Sequence, residues 1–100
     1  MIIHTDETNF NNVLKQNDVC LVDFFATWCG PCRMLAEELK KLENKINIVK
    51  IDIDENPNLA TEYSVDVVPT MYVFKNGKAV KKIEGYMQKN EILRIMNEYI

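Results

Sequence analysis

The spacing of apolar residues along the first half of the chain predicts alternating strands and helices. Apolar residues three or four positions apart mark helices, whereas unbroken apolar runs rich in β-branched and aromatic residues mark buried strands. The run VCLVDFFA is apolar except for Asp23, as expected of a central parallel strand covered on both faces. The pattern predicts strands at residues 2–4, 19–26 and 46–53, a helix from residue 5 to about residue 16, and a long helix that begins near Cys29 and ends near residue 44.

The second half of the chain predicts a short helix, an antiparallel hairpin and a terminal amphipathic helix. The dipeptide Asn76-Gly77 is typical of the tight turn between two antiparallel strands. The predicted bounds are a helix at residues 57–63, strands at residues 71–74 and 79–83, and a helix from about residue 92 to residue 100. The resulting order, βαβαβαββα, implies right-handed crossovers between parallel strands. We expect a single α/β domain over residues 1–100.

Composition and charge limit the classes of partner. The 100 residues are 47% hydrophobic and 27% charged, as is ordinary for a domain that buries its own core. Twelve basic against fifteen acidic residues give a net charge of −3, without a basic stripe that would suit a nucleic acid. The apolar runs are too short to span a bilayer and no secretory pattern begins the chain. We therefore expect no membrane partner and a cytoplasmic location, unless a presequence has been removed.

Two of the three cysteines carry the candidate chemistry. Cys29 and Cys32 lie three positions apart around Gly30-Pro31, within the stretch ATWCGPCRM. Pro31 suits the first turn of a helix, where backbone N–H groups have no partner, so the helix is expected to begin at this motif. Those N–H groups and the positive end of the helix dipole favour a thiolate at Cys29, which would make it the nucleophile and Cys32 the resolving thiol. Residues three apart share a helix face, so a reversible disulfide is within reach.

Other uses of the cysteine pair fit the sequence less well. A purely structural disulfide that closes so small a loop adds little stability. A zinc site needs two further ligands, and a strand would separate Cys20 from Cys29 by roughly 20 to 25 Å, which leaves only His4. A Cys-His nucleophile would need His4 to reach the motif from a short N-terminal strand. We therefore expect no metal, and we interpret Cys20 as a buried, inert thiol.

Two longer stretches, VDFFATWCGPCRM and VVPTMYVFKNG, resemble the thioredoxin family, and the resemblance covers nearly the whole chain. Two cysteines at this spacing are common, but here Trp28-Cys29-Gly30-Pro31-Cys32 occurs together with Asp23, Val68-Pro69-Thr70 and Gly85. The resemblance implies the thioredoxin fold, a three-layer α/β/α arrangement in which a central five-stranded mixed sheet is covered by four helices. It also implies a protein dithiol-disulfide oxidoreductase that reduces client disulfides through Cys29 and Cys32.

The same resemblance implies roles for residues around the cysteines. Asp23 would be a buried proton acceptor for Cys32, with Lys50 as its possible charge partner. Pro69 would be a cis-proline that faces the disulfide and presents the backbone of Val68 to a client strand. The residues implied for substrate binding are Trp28, Gly30, Pro31, Val68, Pro69 and Gly85.

The partners implied are disulfide-containing client proteins and a thioredoxin reductase, either a flavoprotein or a ferredoxin-linked enzyme. The resemblance implies no cofactor beyond the redox-active disulfide, and a monomer is the default expectation. Departures from the family pattern are expected to change partner recognition without changing the sulfur chemistry. They are Phe25 where tryptophan is frequent, Val67 where glycine is common, and Glu84 and Tyr86 beside Gly85.

Two alternative functions remain open at this point. An oxidant or isomerase would use the same fold and the same thiol-disulfide exchange, with electrons flowing in the opposite direction. Gly30-Pro31 between the thiols, however, resembles the reductase type. A binding or assembly module would use the docking surface with incidental redox activity, since a fold alone does not fix a function.

Overall fold

A computed structural model describes all 100 residues as a five-stranded mixed sheet with four helices, which confirms the predicted α/β fold and element order. The strands are β1 (Ile2–His4), β2 (Val19–Phe25), β3 (Ile48–Asp52), β4 (Thr70–Lys75) and β5 (Lys78–Glu84). The helices are α1 (Phe10–Lys15), α2 (Gly30–Lys40), α3 (Pro57–Glu62) and α4 (Lys89–Asn97). None of the helices is both long and apolar enough to cross a membrane.

The sheet has the strand order β1-β3-β2-β4-β5, so β2 is the central strand. Strands β1 and β2 run parallel to β3, whereas β4 runs antiparallel to both β2 and β5. The β4–β5 hairpin turns at Asn76 and Gly77, whose φ angles of 51° and 80° are the positive values that a tight hairpin turn of this twist requires. Because β2 is the central strand, the candidate motif that follows it lies near the middle of the sheet, at the carboxyl end of β2.

Two apolar clusters fill the space between the sheet and its helices. The cluster that contains α2 and α4 includes Leu35, Leu39, Ile92 and Met96, and the cluster on the other face includes Phe10, Leu14 and Leu59. Alternate residues of β2 supply the two clusters, with Leu21 in the first cluster and Val22 and Phe24 in the second. The strand is therefore covered on both faces, as its nearly unbroken apolar run predicts.

The first helix begins five residues later than the sequence predicts, at Phe10. Residues 7–9 form a turn, closed by hydrogen bonds from the backbone and side-chain amides of Asn9 to the Asp6 carboxylate, at 2.9 and 3.1 Å. Glu7 is also engaged elsewhere, because its carboxylate accepts a 2.9 Å hydrogen bond from the backbone N–H of Asn58 in the first turn of α3. The acidic residues therefore do not form the first turn of α1.

The remaining differences concern the ends of elements. Helix α2 ends at Lys40 and not near residue 44, because the N–H groups of Lys41 and Leu42 bond to carbonyls three residues back, in the tighter pattern of a terminal turn. Leu42 is still buried, which explains why the apolar pattern extends beyond the helix. Strands β2 and β3 and helix α3 are also shorter than predicted, whereas β4 and β5 each extend one residue further at both ends. Helix α4 has about the predicted length but begins and ends three residues earlier.

Candidate active site

The two cysteines of the motif lie at the start of α2, where they form a disulfide with a Cα–Cα distance of 5.2 Å. Cys29 is the N-cap residue, with an extended backbone, and Gly30 and Pro31 are the first two helical residues. The backbone N–H of Cys32 donates a 3.1 Å hydrogen bond to Cys29 Sγ. One of the free N–H groups of the helix terminus therefore points at this sulfur, and such a donor stabilises a negative charge there.

The disulfide is nearly buried although it lies beyond the carboxyl end of the central strand. Cys29 is 5% exposed and Cys32 is 3% exposed. The pair packs with Ala26, and the partly buried side chains around it are Phe25, Ile53 and Val68. The disulfide therefore exposes little surface, and the loop that contains Val68 borders it.

That loop carries the peptide bond between Val68 and Pro69, which is cis, as the resemblance implied. The carbonyl oxygen of Val68 lies 3.6 Å from Cys29 Sγ. Two hydrogen bonds fix the loop: the Thr70 hydroxyl donates to Val67 O at 2.6 Å, and the Gly85 N–H donates to Pro69 O at 2.8 Å. The backbone N–H of Val68 donates no hydrogen bond within the chain and is available to a bound strand.

Gly85 has a φ of +91°, in the region that favours glycine, and a Cβ atom there would meet no heavy atom within 4 Å. We expect Gly85→Ala to lower the free energy of unfolding by about 1 to 2 kcal/mol through backbone strain alone. Gly30 is the matched control, since a Cβ there also meets nothing within 4 Å and its φ is not in that region. Gly30→Ala should leave stability unchanged or raise it by less than about 1 kcal/mol. Urea denaturation measures both, and equal effects of the two substitutions would contradict the strain argument.

Trp28 is 66% exposed, so it is not a packing residue of the core. Its indole N–H donates a 2.8 Å hydrogen bond to the Asp54 carboxylate, and this ties the ring to the segment that follows β3. The sequence interpretation missed Asp54. A signal was available, because Asp54 follows β3, which is parallel to β2, and the carboxyl ends of parallel strands meet at one edge of a sheet.

Asp23 is fully buried in the middle of β2, and neither of its carboxylate oxygens accepts a hydrogen bond from the protein. Burial raises the pKa of Asp23 from 3.8 to about 6, because removal from water disfavours the charged form, and the positive charge of Lys50 partly opposes this rise. Lys50 is the residue opposite Asp23 on β3, and its Nζ lies 3.6 Å from Asp23 Oδ2. The two residues therefore form a buried ion pair without a hydrogen bond.

A cavity of about 250 Å³ lies between Lys50 and the cysteine motif. Its lining includes Cys32 and Lys50, together with Phe25, Ala26, Thr27, Arg33 and Ala36. The volume exceeds the roughly 30 Å³ that one water occupies in the liquid, so solvent can reach the space between Cys32 and Lys50. Asp23 is not among the lining residues, so the cavity borders the buried pair through Lys50 alone.

Comparison with known proteins identifies the family. The family model described as Thioredoxin matches residues 1–98. The chain belongs to the thioredoxin family. It is 40% identical to a thioredoxin from Staphylococcus saprophyticus over 99% of this chain and 98% of that protein, and 39% identical to one from Staphylococcus haemolyticus over the same shares.

Solved thioredoxin structures agree with this assignment. A mutant thioredoxin from Halobacterium salinarum superposes with a TM-score of 0.93 at 35% identity, over 98% of this chain and 89% of that chain. The reduced thioredoxin of Schistosoma mansoni gives a TM-score of 0.90 at 32% identity, over 99% and 98% of the two chains. The chain is accordingly a protein dithiol-disulfide oxidoreductase with a redox-active cysteine pair at the start of α2.

The other residues considered for sulfur or metal chemistry, Cys20 and His4, lie on strands β2 and β1. Cys20 is fully buried in β2, and burial raises its pKa to about 11, which keeps it a neutral thiol at physiological pH. His4 lies on β1, where its ring packs edge-on against Phe25 with the ring centroids 6.2 Å apart. No group of three or more His, Cys, Asp or Glu side chains is arranged to hold a metal ion.

Proposed function

We propose that Cys29 is the nucleophile and Cys32 the resolving thiol in the reduction of client disulfides. The Cys29 thiolate attacks one client sulfur, and the other client sulfur leaves as a thiolate. Cys32 then gives up its proton and attacks Cys29 Sγ, which releases the first client sulfur. Two electrons pass to the client, and the protein is left with its internal disulfide. The observation that carries this assignment is the hydrogen bond from the Cys32 N–H to Cys29 Sγ at the helix terminus.

We propose that Asp23 accepts the proton of Cys32 in the second step. A carboxyl whose pKa is about 6 is mostly ionised near neutral pH, yet it binds a proton more readily than an exposed aspartate does. Lys50 is proposed as its charge partner, and water in the cavity that Cys32 and Lys50 line would relay the proton toward the pair. Because the two cysteines and Asp23 interact, their titrations should be coupled.

The proposed docking surface surrounds the solvent-exposed part of the disulfide. The free N–H of Val68 can pair with an extended client segment as a short added strand, beside Pro69. Gly30, Pro31 and Gly85 leave room for the client backbone, and the exposed apolar side chains are those of Trp28, Val67 and Tyr86. Val67 and Tyr86 are the larger residues at positions where the resemblance leads us to expect small ones, so they should restrict which clients fit.

Thioredoxins receive electrons from a thioredoxin reductase and pass them to disulfide-containing proteins, and those are the partner classes that the family assignment implies here. We propose that residues 1–100 act as one monomeric domain in the cytoplasm, where thiols are kept reduced. The reductase could be a flavoprotein or a ferredoxin-linked enzyme, and the chain would need no cofactor besides its own disulfide.

The proposed roles of the cysteines are tested by capture of reaction intermediates. The Cys32→Ser variant can form the mixed disulfide but cannot resolve it, so client proteins should stay covalently bound to Cys29 until a small thiol is added. Capture is measured on non-reducing gels after incubation with oxidised cell extract. The matched control is the variant with both Cys29→Ser and Cys32→Ser, which should capture nothing. Equal capture by the control would refute the assignment of Cys29 as nucleophile.

A further inference from the structure

The Lys50 side chain lies between two different partners. Its Nζ is 3.6 Å from Asp23 Oδ2 on one side and 4.8 Å from the centroid of the Phe25 ring on the other. An ammonium over the face of an aromatic ring is attracted by the negative face of that ring, and the attraction is stronger where water is excluded. The Lys50 side chain is only 10% exposed, so both attractions act in a mostly dry environment.

Phe25 is also in the right place to link this cation to the redox centre. Its side chain packs against the cluster that contains Cys29 and Cys32, and it lines the cavity that Cys32 and Lys50 share. On its outer side, the His4 ring packs edge-on against it. The Phe25 ring is therefore held between β1 and the disulfide while its face is directed at the ammonium.

We propose that Phe25 is a positioning residue, whose ring face retains the Lys50 ammonium beside Asp23 and so lowers the proton affinity of that carboxyl. This inference rests on the proposed role of Asp23 as the proton acceptor of the resolving step. Lysine side chains extend their charged ends toward water wherever a path is open, and the cavity provides one. Without the ring, the ammonium should move into that cavity and leave Asp23 buried and unpaired, which strengthens proton binding.

Other charged groups near the pair are already engaged or directed elsewhere. On α2, the Arg33 guanidinium donates a 3.1 Å hydrogen bond to Thr27 O at the cavity rim. On β3, the Asp52 carboxylate accepts a 2.9 Å hydrogen bond from the backbone N–H of Asp54. On β1, His4 is exposed and occupies the register position next to Lys50, and on β4 the residue opposite Asp23 is the apolar Met71. Lys50 is thus the one cation paired with Asp23.

The test is a double-mutant cycle read at Asp23 itself. The carboxyl titration is followed by carbon NMR in the oxidised protein, for the wild type, Phe25→Leu, Lys50→Met and the double variant. Phe25→Leu should move the midpoint of Asp23 upward by about half a pH unit or more, and Lys50→Met should also move it upward. Phe25→Leu should add no upward movement when Lys50→Met is already present, because there is then no cation to retain.

The aromatic control is Phe25→Trp, which keeps a ring face and should leave the midpoint at or below that of the wild type. Phe25→Met, which also lacks a ring, serves if the leucine variant does not fold. An equal movement of the midpoint by Phe25→Leu with and without Lys50→Met would mean that packing or hydration is responsible, and would overturn the inference. So would an unchanged or lowered midpoint in the Phe25→Leu single variant.

A kinetic measurement separates this inference from the function on which it rests. The rate of the resolving step is recorded against pH for the wild type and Phe25→Leu, starting from a mixed disulfide with a small thiol. In Phe25→Leu, the midpoint of this pH–rate profile should rise together with the midpoint of the Asp23 titration. If the NMR midpoint rises and the kinetic profile does not, Phe25 positions Lys50 as inferred, and the proposed catalytic role of Asp23 is wrong.

Discussion

Replacing Cys29 with serine is expected to reduce the turnover of a protein disulfide by about 10³-fold or more. A serine hydroxyl is not ionised near neutral pH, so the hydrogen bond from the Cys32 N–H would no longer stabilise a nucleophilic anion. We expect Cys32 not to take over the attack, because it is the third residue of α2 and its own N–H at the helix terminus points at the side chain of residue 29, not at the Cys32 sulfur. Turnover is measured with the reduced protein and an excess of a disulfide-linked polypeptide, in the presence of a thiol that regenerates the dithiol.

Cys20 supplies the matched control for this experiment. It is a third cysteine in the same chain, fully buried in the apolar cluster of β2, and it is not part of the proposed reaction. Cys20→Ala should retain wild-type turnover, although the loss of a buried sulfur will lower stability to some extent. If Cys29→Ser kept more than a small fraction of the wild-type rate while Cys20→Ala lost it, the assignment of the nucleophile would be wrong.

Much of the fold follows from local patterns that leave little choice. A run such as VCLVDFFA is stable only when it is buried on both faces, so a central strand with one buried carboxylate was predictable. The start of α2 was predictable because a helix tolerates a proline such as Pro31 in its first turn but not in its interior. The hairpin was predictable because Asn76-Gly77 fits a tight turn. These signals depend on neighbouring residues alone.

The features that the sequence did not reveal depend on contacts between distant segments. The Trp28 indole finds its partner at Asp54, 26 residues away, and only the parallel pairing of β2 and β3 brings them together. The start of α1 was mispredicted because Glu7 bonds to the first turn of α3, a contact that helical spacing cannot indicate. The position of Lys50 over the Phe25 ring likewise depends on side-chain directions that are fixed only in the packed molecule.

Replacing Asp23 with asparagine is expected to change how stability depends on pH. The pKa of Asp23 is raised from 3.8 to about 6 in the folded chain, so the folded state binds a proton more tightly than the unfolded state. Stability from this group is fully present below about pH 4 and is lost as the pH rises through about 6. Relative to Asp23→Asn, the wild type should therefore lose on the order of 2 kcal/mol of unfolding free energy between pH 4 and pH 7.

The measurement is urea denaturation of the two oxidised proteins at a series of pH values. The free energies of unfolding are subtracted at each pH, so that the contributions of the other carboxylates cancel. Asp66→Asn is the matched control, because Asp66 is exposed and the same chemical change there should leave the difference from wild type nearly constant with pH. Parallel curves for the wild type and Asp23→Asn would mean that burial does not raise the pKa of Asp23. The expected divergence would mean that the ionised carboxylate is held at a cost to stability. A carboxyl that serves as a proton acceptor near neutral pH must bear that cost, because the burial that destabilises its charge also gives it its proton affinity.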